Sequence, residues 1–287
     1  MTFRILALAL LGATSIAAPA FADDAFRIEH AAARVVVIPE ARGDVAYTIQ
    51  PGRAALPALQ MRQDGGVKVL DGGLGGGFAP FGFHMGMSCQ GAGDHVRIRI
   101  PGHGVVALQD LPVITVRTPL NAHLAVGDAV FGEIGPSQSL DFANSGCGDW
   151  RVADVRGATH LSLSGSGDVR GRAVGEASVR ISGSSDVYLG PVSGGLDARI
   201  SGSGDVHAAS VSGPLSAKIA GSGDVTVDGG TSPSVEAHIA GSGDVKFRGV
   251  AGSVSAFIAG SGDVDVARVS GAVTKHIAGS GDVNIGR

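Results

Sequence analysis

Large aromatic side chains are scarce. Among 287 residues there are one tryptophan (Trp150), two tyrosines (Tyr47 and Tyr188) and 10 phenylalanines, so aromatics make up 5% of the chain. Such rings normally fill the centre of a compact core, and their shortage argues for a thin interior lined by small aliphatic side chains. Positive charge is not in surplus: 22 Lys and Arg stand against 26 Asp and Glu, a net charge of −4. That balance excludes the electrostatic footprint of a nucleic-acid binder.

Long apolar runs are confined to the start. Arg4 precedes the run Ile5–Ile16, and Ala20-Phe21-Ala22 offers an A-x-A cleavage site. Residues 1–22 therefore read as a secretory signal. Its removal is expected to leave no transmembrane segment. No cysteine follows the run, so a bacterial lipid anchor is not indicated. The chain holds two cysteines, Cys89 and Cys147. Export permits them to pair, and a bridge would close a loop of about 60 residues, on the order of 4 kcal/mol by chain entropy.

What the chain has in abundance is glycine, 47 residues, arranged in a repeat. Aligned on one aspartate, the units fall at Asp149, Asp168, Asp186, Asp205, Asp224, Asp244, Asp263 and Asp282, spaced 18 to 20 residues apart. Six copies read Gly-Ser-Gly-Asp, the first reads GCGD (Gly146–Asp149) and the third GSSD (Gly183–Asp186). Before each motif apolar and polar residues alternate, as in LSAKIAG (Leu215–Gly221) and VEAHIAG (Val235–Gly241); after it comes a second short apolar stretch beginning at Val225 or Val245. Period two is strand chemistry. Short strands joined by Gly/Ser turns bury nothing alone and must stack on the next unit.

Stacking gives an all-β parallel β-helix, a solenoid of ~19-residue coils about 4.8 Å apart. The inward column Ile181, Ile200, Ile219, Ile239, Ile258 and Ile277 would form a ladder of like side chains. An antiparallel sandwich is the competitor, but it does not repeat one turn motif in register. Residues 146–287 are the regular coils. Residues 23–145 read as an N-terminal cap with degenerate coils, continuous with them in one domain. The opening residues of that segment are expected to cover the open edge. Within it, Asp71–Asp94 is too glycine-rich for a strand and long enough to be a mobile loop.

The signal segment, the stretch VVVIPEARGDVAYTI (Val35–Ile49) and the run of V-x-A-x-I-x-G-S-G-D-V units resemble the bacterial auto-transporter adhesin head GIN domain family. The resemblance covers most of the chain after residue 22. It implies a right-handed parallel β-helix and an adhesin-like role.

Three chemistries are open to these residues. Equivalent carboxylates about 5 Å apart repel by around 0.8 kcal/mol per pair even in water's dielectric, so Asp168, Asp186, Asp205, Asp224, Asp244, Asp263 and Asp282 need compensation. Either each accepts backbone N–H groups within its own turn, the favoured reading, or a cation such as Ca²⁺ is shared between coils. One position before the Ile column, Arg180, Arg199, Lys218, His238, Phe257 and His276 are expected to point outward as a second ladder. It could attract acidic glycan or lipid phosphate, or simply keep the sheet soluble; Asp197 and Glu236 partly neutralise it. His84, Met85, Met87 and Cys89 are soft donors of the kind Cu(I) takes.

No unit carries convergent carboxylates or a nucleophile–base set that the others lack, and no cofactor motif is present. The sequence thus predicts an exported, non-catalytic rod in the periplasm, at the surface or secreted, with an adhesive or envelope-organising role. A surface glycan or envelope component is the expected partner, and the coil ends offer a route to a homo-oligomer. The alternatives are a β-helical polysaccharide enzyme and a Ca or Cu binding periplasmic protein.

Overall fold

The computed structural model describes residues 25–75, 86–91 and 93–286. The signal segment 1–22 and the residues His84 and Met85 lie outside them. The protein is almost entirely β, a solenoid of about nine turns whose equivalent positions recur ~19 residues apart.

One coil shows how the repeat builds it. In the strand Leu215–Gly221, Leu215, Ala217 and Ile219 point inward and are 0–2% exposed, while Ser216, Lys218 and Ala220 point out. It pairs in parallel and without slippage with Leu196–Gly202 on one side and Val235–Gly241 on the other, so Ile200, Ile219 and Ile239 stand in one column. β-Branched side chains suit such a ladder, and the parallel register keeps every apolar position inside. The Gly-Ser-Gly-Asp corner follows, then the second strand Val225–Val227, paired with Val206–Val211 and Val245–Ala251.

The corner glycines are dictated by contact. Gly241 sits at φ +144°, and a Cβ there would lie 2.0 Å from the carbonyl oxygen of Gly221. A Cβ on Gly243 would lie equally close to the Gly223 carbonyl. At these glycines each corner is stacked so tightly on the one before it that a side chain would collide; Ser185 of the third corner, buried in the second glycine's place, is the exception.

Residues 25–39 do not cap the edge, contrary to the sequence expectation. Ala25–Glu29 lies between Val67–Asp71 and Asn121–Val126, and Ala32–Pro39 between Val113–Thr118 and Ala129–Ile134. The chain start is therefore the second coil in the stack. Phe26, Ile28, Val35 and Val37, 0–1% exposed, present too much apolar surface for an edge. The cap is instead made by Ala46–Gln50 and Gln60–Asp64, which run antiparallel on Val113–Thr118 and Val67–Asp71. The strand Gln60–Asp64 is exposed along its whole length, and its polar sequence suits a terminal position.

Part of the irregular half leaves the solenoid. The strands Ser88–Gln90, Arg97–Ile100 and Gly104–Ala107 form a separate antiparallel sheet, where the sequence suggested a loop and a degenerate coil. Gly102 (φ +78°) and Gly104 (φ +81°) make the tight hairpin between the last two. Ile98, Ile100 and Leu111 pack this satellite onto Ala32, Ala129 and Phe131 of the solenoid. Of the expected loop at 71–94, Asp71 ends one strand and Ser88–Gln90 forms another, while residues 76–85 and 92 lie outside the described residues.

At the opposite end the strand Val273–Gly279 is exposed at every residue, with Val273 42% and Ile277 39% exposed. At the inward positions one substitution separates it from the coil beneath. The inward column Ala198, Ala217, Ala237 and Ala256 is completely buried, and its next register position is Lys275. An inward charge on an edge strand opposes further stacking, which weighs against the coil-end oligomer the sequence left open.

Candidate binding face

The aspartate row lies at the corner between the two strand columns. Asp149 Oδ1 accepts the backbone N–H of Asp168 at 3.0 Å, and the relation continues through Asp186, Asp205, Asp224, Asp244, Asp263 and Asp282 with distances of 2.7 to 3.1 Å. The acceptor role expected from sequence is present, but its donor is the next coil's aspartate and not the same turn. The reason is geometric: the glycine corners bring successive backbones close enough for a short side chain to reach across.

The second oxygens differ from coil to coil. Asp168 Oδ2 accepts from Arg170 at 3.3 Å, Asp186 Oδ2 from the Tyr188 hydroxyl at 3.3 Å and Asp244 Oδ2 from Lys246 at 2.9 Å. Among the described residues Asp205, Asp224 and Asp263 have no such partner. His207, two residues after Asp205, turns its Nε2 to Asp228 instead, 2.9 Å away. Burial pushes the Asp168 and Asp205 carboxyls above the usual carboxylate range, against the N–H bonds they accept. Burial acts on Asp244 too, but the Lys246 ammonium and the Asp263 N–H together outweigh it and hold that carboxyl low.

The eight aspartates form a file and are not brought together at one point. Among the described residues, the trio with donor atoms close enough for one metal ion is Glu29, His30 and Asp71. Nothing in the repeat pointed to it, because the three come from two separate strands. The Arg62 guanidinium already occupies this cluster, bonded to Glu29 and 3.8 Å from Asp71 Oδ2. The Gly73 N–H, donated to Asp71 Oδ1 at 2.8 Å, is the main cause of that carboxyl's lowered pKa.

Of the soft donors, Met87 and Cys89 lie among the described residues. Cys89 is joined to Cys147 in a disulfide, with Cα atoms 5.8 Å apart, and so offers no thiolate to copper. The bond ties the satellite sheet to the first Gly-Cys-Gly-Asp corner. Met87 packs against the satellite's apolar core beside it.

The outward ladder is a continuous face. Arg180, Arg199, Lys218, His238, Phe257 and His276 are consecutive register partners. Five intervals of ~4.8 Å make a file about 24 Å long. At its upper end the rings stack: Phe257 lies 4.7 Å from His238 and 5.0 Å from His276, with interplanar angles of 10° and 15°. Arg199 is paired with Asp197 at 2.9 Å and His238 with Glu236 at 2.7 Å. Arg180 and Lys218 have no carboxylate partner among the described residues.

Beside this file runs a lane of small exposed residues, Ser201, Ala220, Ala240, Ala259 and Ala278. From Arg199 to His276 file and lane together line a shallow concave surface. The lane was readable as the last outward position of each ISG or IAG, yet its meaning depends on the large side chains standing next to it.

Residues 193–286 match the model of a family described as "Putative auto-transporter adhesin, head GIN domain". Neither the curated proteins nor the solved structures contain a match to the chain. The matched segment holds the ladder from Arg199 to His276.

Proposed function

We propose that this chain is an exported, non-catalytic rod that binds an envelope or surface component through the face made by the ladder and the small-residue lane. The face from Arg180 to His276 carries the reading: it is shallow, in register, open to solvent and long, and no described repeat unit bears a catalytic set of its own. The match of residues 193–286 to an adhesin head family is consistent with such a role. The signal segment supports export to the periplasm, the surface or the medium.

A solenoid suits this task because its backbone bonds and its apolar ladder fix the face independently of any ligand. Side chains held one per coil meet a partner without first being ordered, which lowers the entropic cost of binding. The aspartate row, with one oxygen of each carboxylate tied to the next coil, is read as a seam of the scaffold.

The test fills the lane. The double variant Ala240→Tyr, Ala259→Tyr adds bulk at two exposed positions and leaves the core unchanged. Purified protein is mixed with isolated cell envelopes and the bound fraction is sedimented. Binding by the unaltered chain and its loss in the variant are expected; equal binding by both would overturn the assignment of the face. Release of new reducing ends from envelope polysaccharide would replace binding by cleavage.

A further inference from the structure

We infer that the occupant of this face is an acidic polysaccharide lying along the rod axis, an inference that rests on the binding role proposed above. The stacked rings supply the first argument. Both faces of Phe257 are covered, one by the His238 ring and one by the His276 ring. A neutral sugar that stacks on an aromatic needs an open ring face, and Phe257 offers the lane only its edge. Ring edges are the positive rim of the aromatic quadrupole, and the His276 imidazole, which among the described residues lacks the carboxylate partner that His238 has in Glu236, adds an N–H donor. This part of the ladder therefore presents itself to anionic oxygens.

The cations continue the same file. Lys218 and Arg180 lack carboxylate partners among the described residues, so their charge is available to a ligand. Along each coil the lane is followed by the corner, where the carboxylates of Asp205, Asp224 and Asp263 retain an oxygen without a side-chain partner among the described residues. A polyanion is repelled from that row and drawn to the ladder, which confines it to the lane. The cations Arg180, Arg199 and Lys218 and the imidazoles of His238 and His276 share a single file about 24 Å long, a geometry matched by a linear polymer with acidic groups at regular intervals. A membrane presents its phosphates as a plane and would engage a single file poorly.

The experiment measures binding of the purified chain to polygalacturonate, to neutral dextran and to phosphatidylcholine vesicles containing phosphatidylglycerol. Polygalacturonate is expected to bind alone of the three, weakening roughly tenfold or more between ~50 and ~500 mM salt. The variant Arg180→Glu, Lys218→Glu is expected to weaken it at least about tenfold, by loss and reversal of two charges on the face. Arg151→Glu, Arg268→Glu makes the same change of net charge away from the face and is expected to stay within about twofold. Thermal melts of both variants establish that they fold.

Equal binding of dextran, binding of the vesicles in place of polygalacturonate, or equal weakening by both charge variants would overturn the inference. Failure of polygalacturonate to bind, while filling the lane still abolishes envelope binding, overturns the ligand class and leaves the face assigned. Failure of both removes the face as well.

Discussion

Asp224 offers the cleanest separation of a structural aspartate from a liganding one. Its Oδ1 accepts the Asp244 N–H at 2.7 Å, and its own N–H donates to Asp205 Oδ1 at 2.8 Å. Asp224→Ala leaves the half-buried Asp244 N–H without its acceptor, a loss of about 1–3 kcal/mol. Asp224→Asn keeps a carbonyl oxygen in the same place and removes a negative charge standing about 4.8 Å from each of two others. Each of those repulsions is about 0.9 kcal/mol at the dielectric of water, and salt reduces it further. The asparagine variant should therefore be neutral or more stable by up to about 1 kcal/mol. The alanine variant should be distinctly less stable. With about 2–4 °C of melting temperature per kcal/mol for a chain of this size, the two should differ by several degrees. Calorimetric melts in EDTA, repeated with added Ca²⁺, read the difference. Asparagine as damaging as alanine, or a Ca²⁺-dependent rise in the parent that asparagine abolishes, would refute the reasoning and establish a cation in the row.

Three further outcomes follow from the same structure. Cys89→Ser, Cys147→Ser, or reduction, removes a cross-link spanning 58 residues and should cost up to about 4 kcal/mol; hydrogen exchange should rise first in Arg97–Ile100 and Gly104–Ala107, and loss confined to the regular coils would contradict the assigned staple. Lys275→Ala extends the buried alanine column to the exposed end strand and should produce concentration-dependent association by light scattering where the parent shows none, whereas a strictly monomeric variant would show that the lysine guards nothing. Burial raises the Asp168 carboxyl above its unfolded value, so its charged form is penalised above the folded pKa and the penalty disappears as pH falls through it. Asp168→Asn should thus raise the melting temperature at pH 7 and lose that advantage at pH 3; an advantage that grows on acidification would reverse the sign assigned to burial.

The regular coils were legible because each of their constraints is local and repeated. Alternation in LSAKIAG places Leu215, Ala217 and Ile219 inside whatever the neighbouring coil contains, and the next unit repeats the instruction. The irregular half has no such redundancy. The apolar run of Ala32–Pro39 indicates a strand buried on both sides, but no local signal says that Val113–Thr118, some 75 residues later, will be its partner on one side. Arg97–Ile100 alternates as well as any coil strand. It was drawn into a hairpin by the glycines at 102 and 104, whose positive φ closes the turn before a crossover can form.

The same distinction governs the candidate site. The outward direction of Arg180 through His276 follows from period two alone, so the ladder could be read before any coordinate was known. What gives it a chemical preference follows from the spacing between coils. Only at that separation do His238, Phe257 and His276 close on one another and hide the ring faces, and only there does an aspartate reach the next backbone N–H. One dimension, the coil spacing, thus acts in opposite ways on the two rows. It engages one oxygen of each corner carboxylate within the scaffold, and it turns a set of aromatic rings from a surface for neutral sugars into a positive edge.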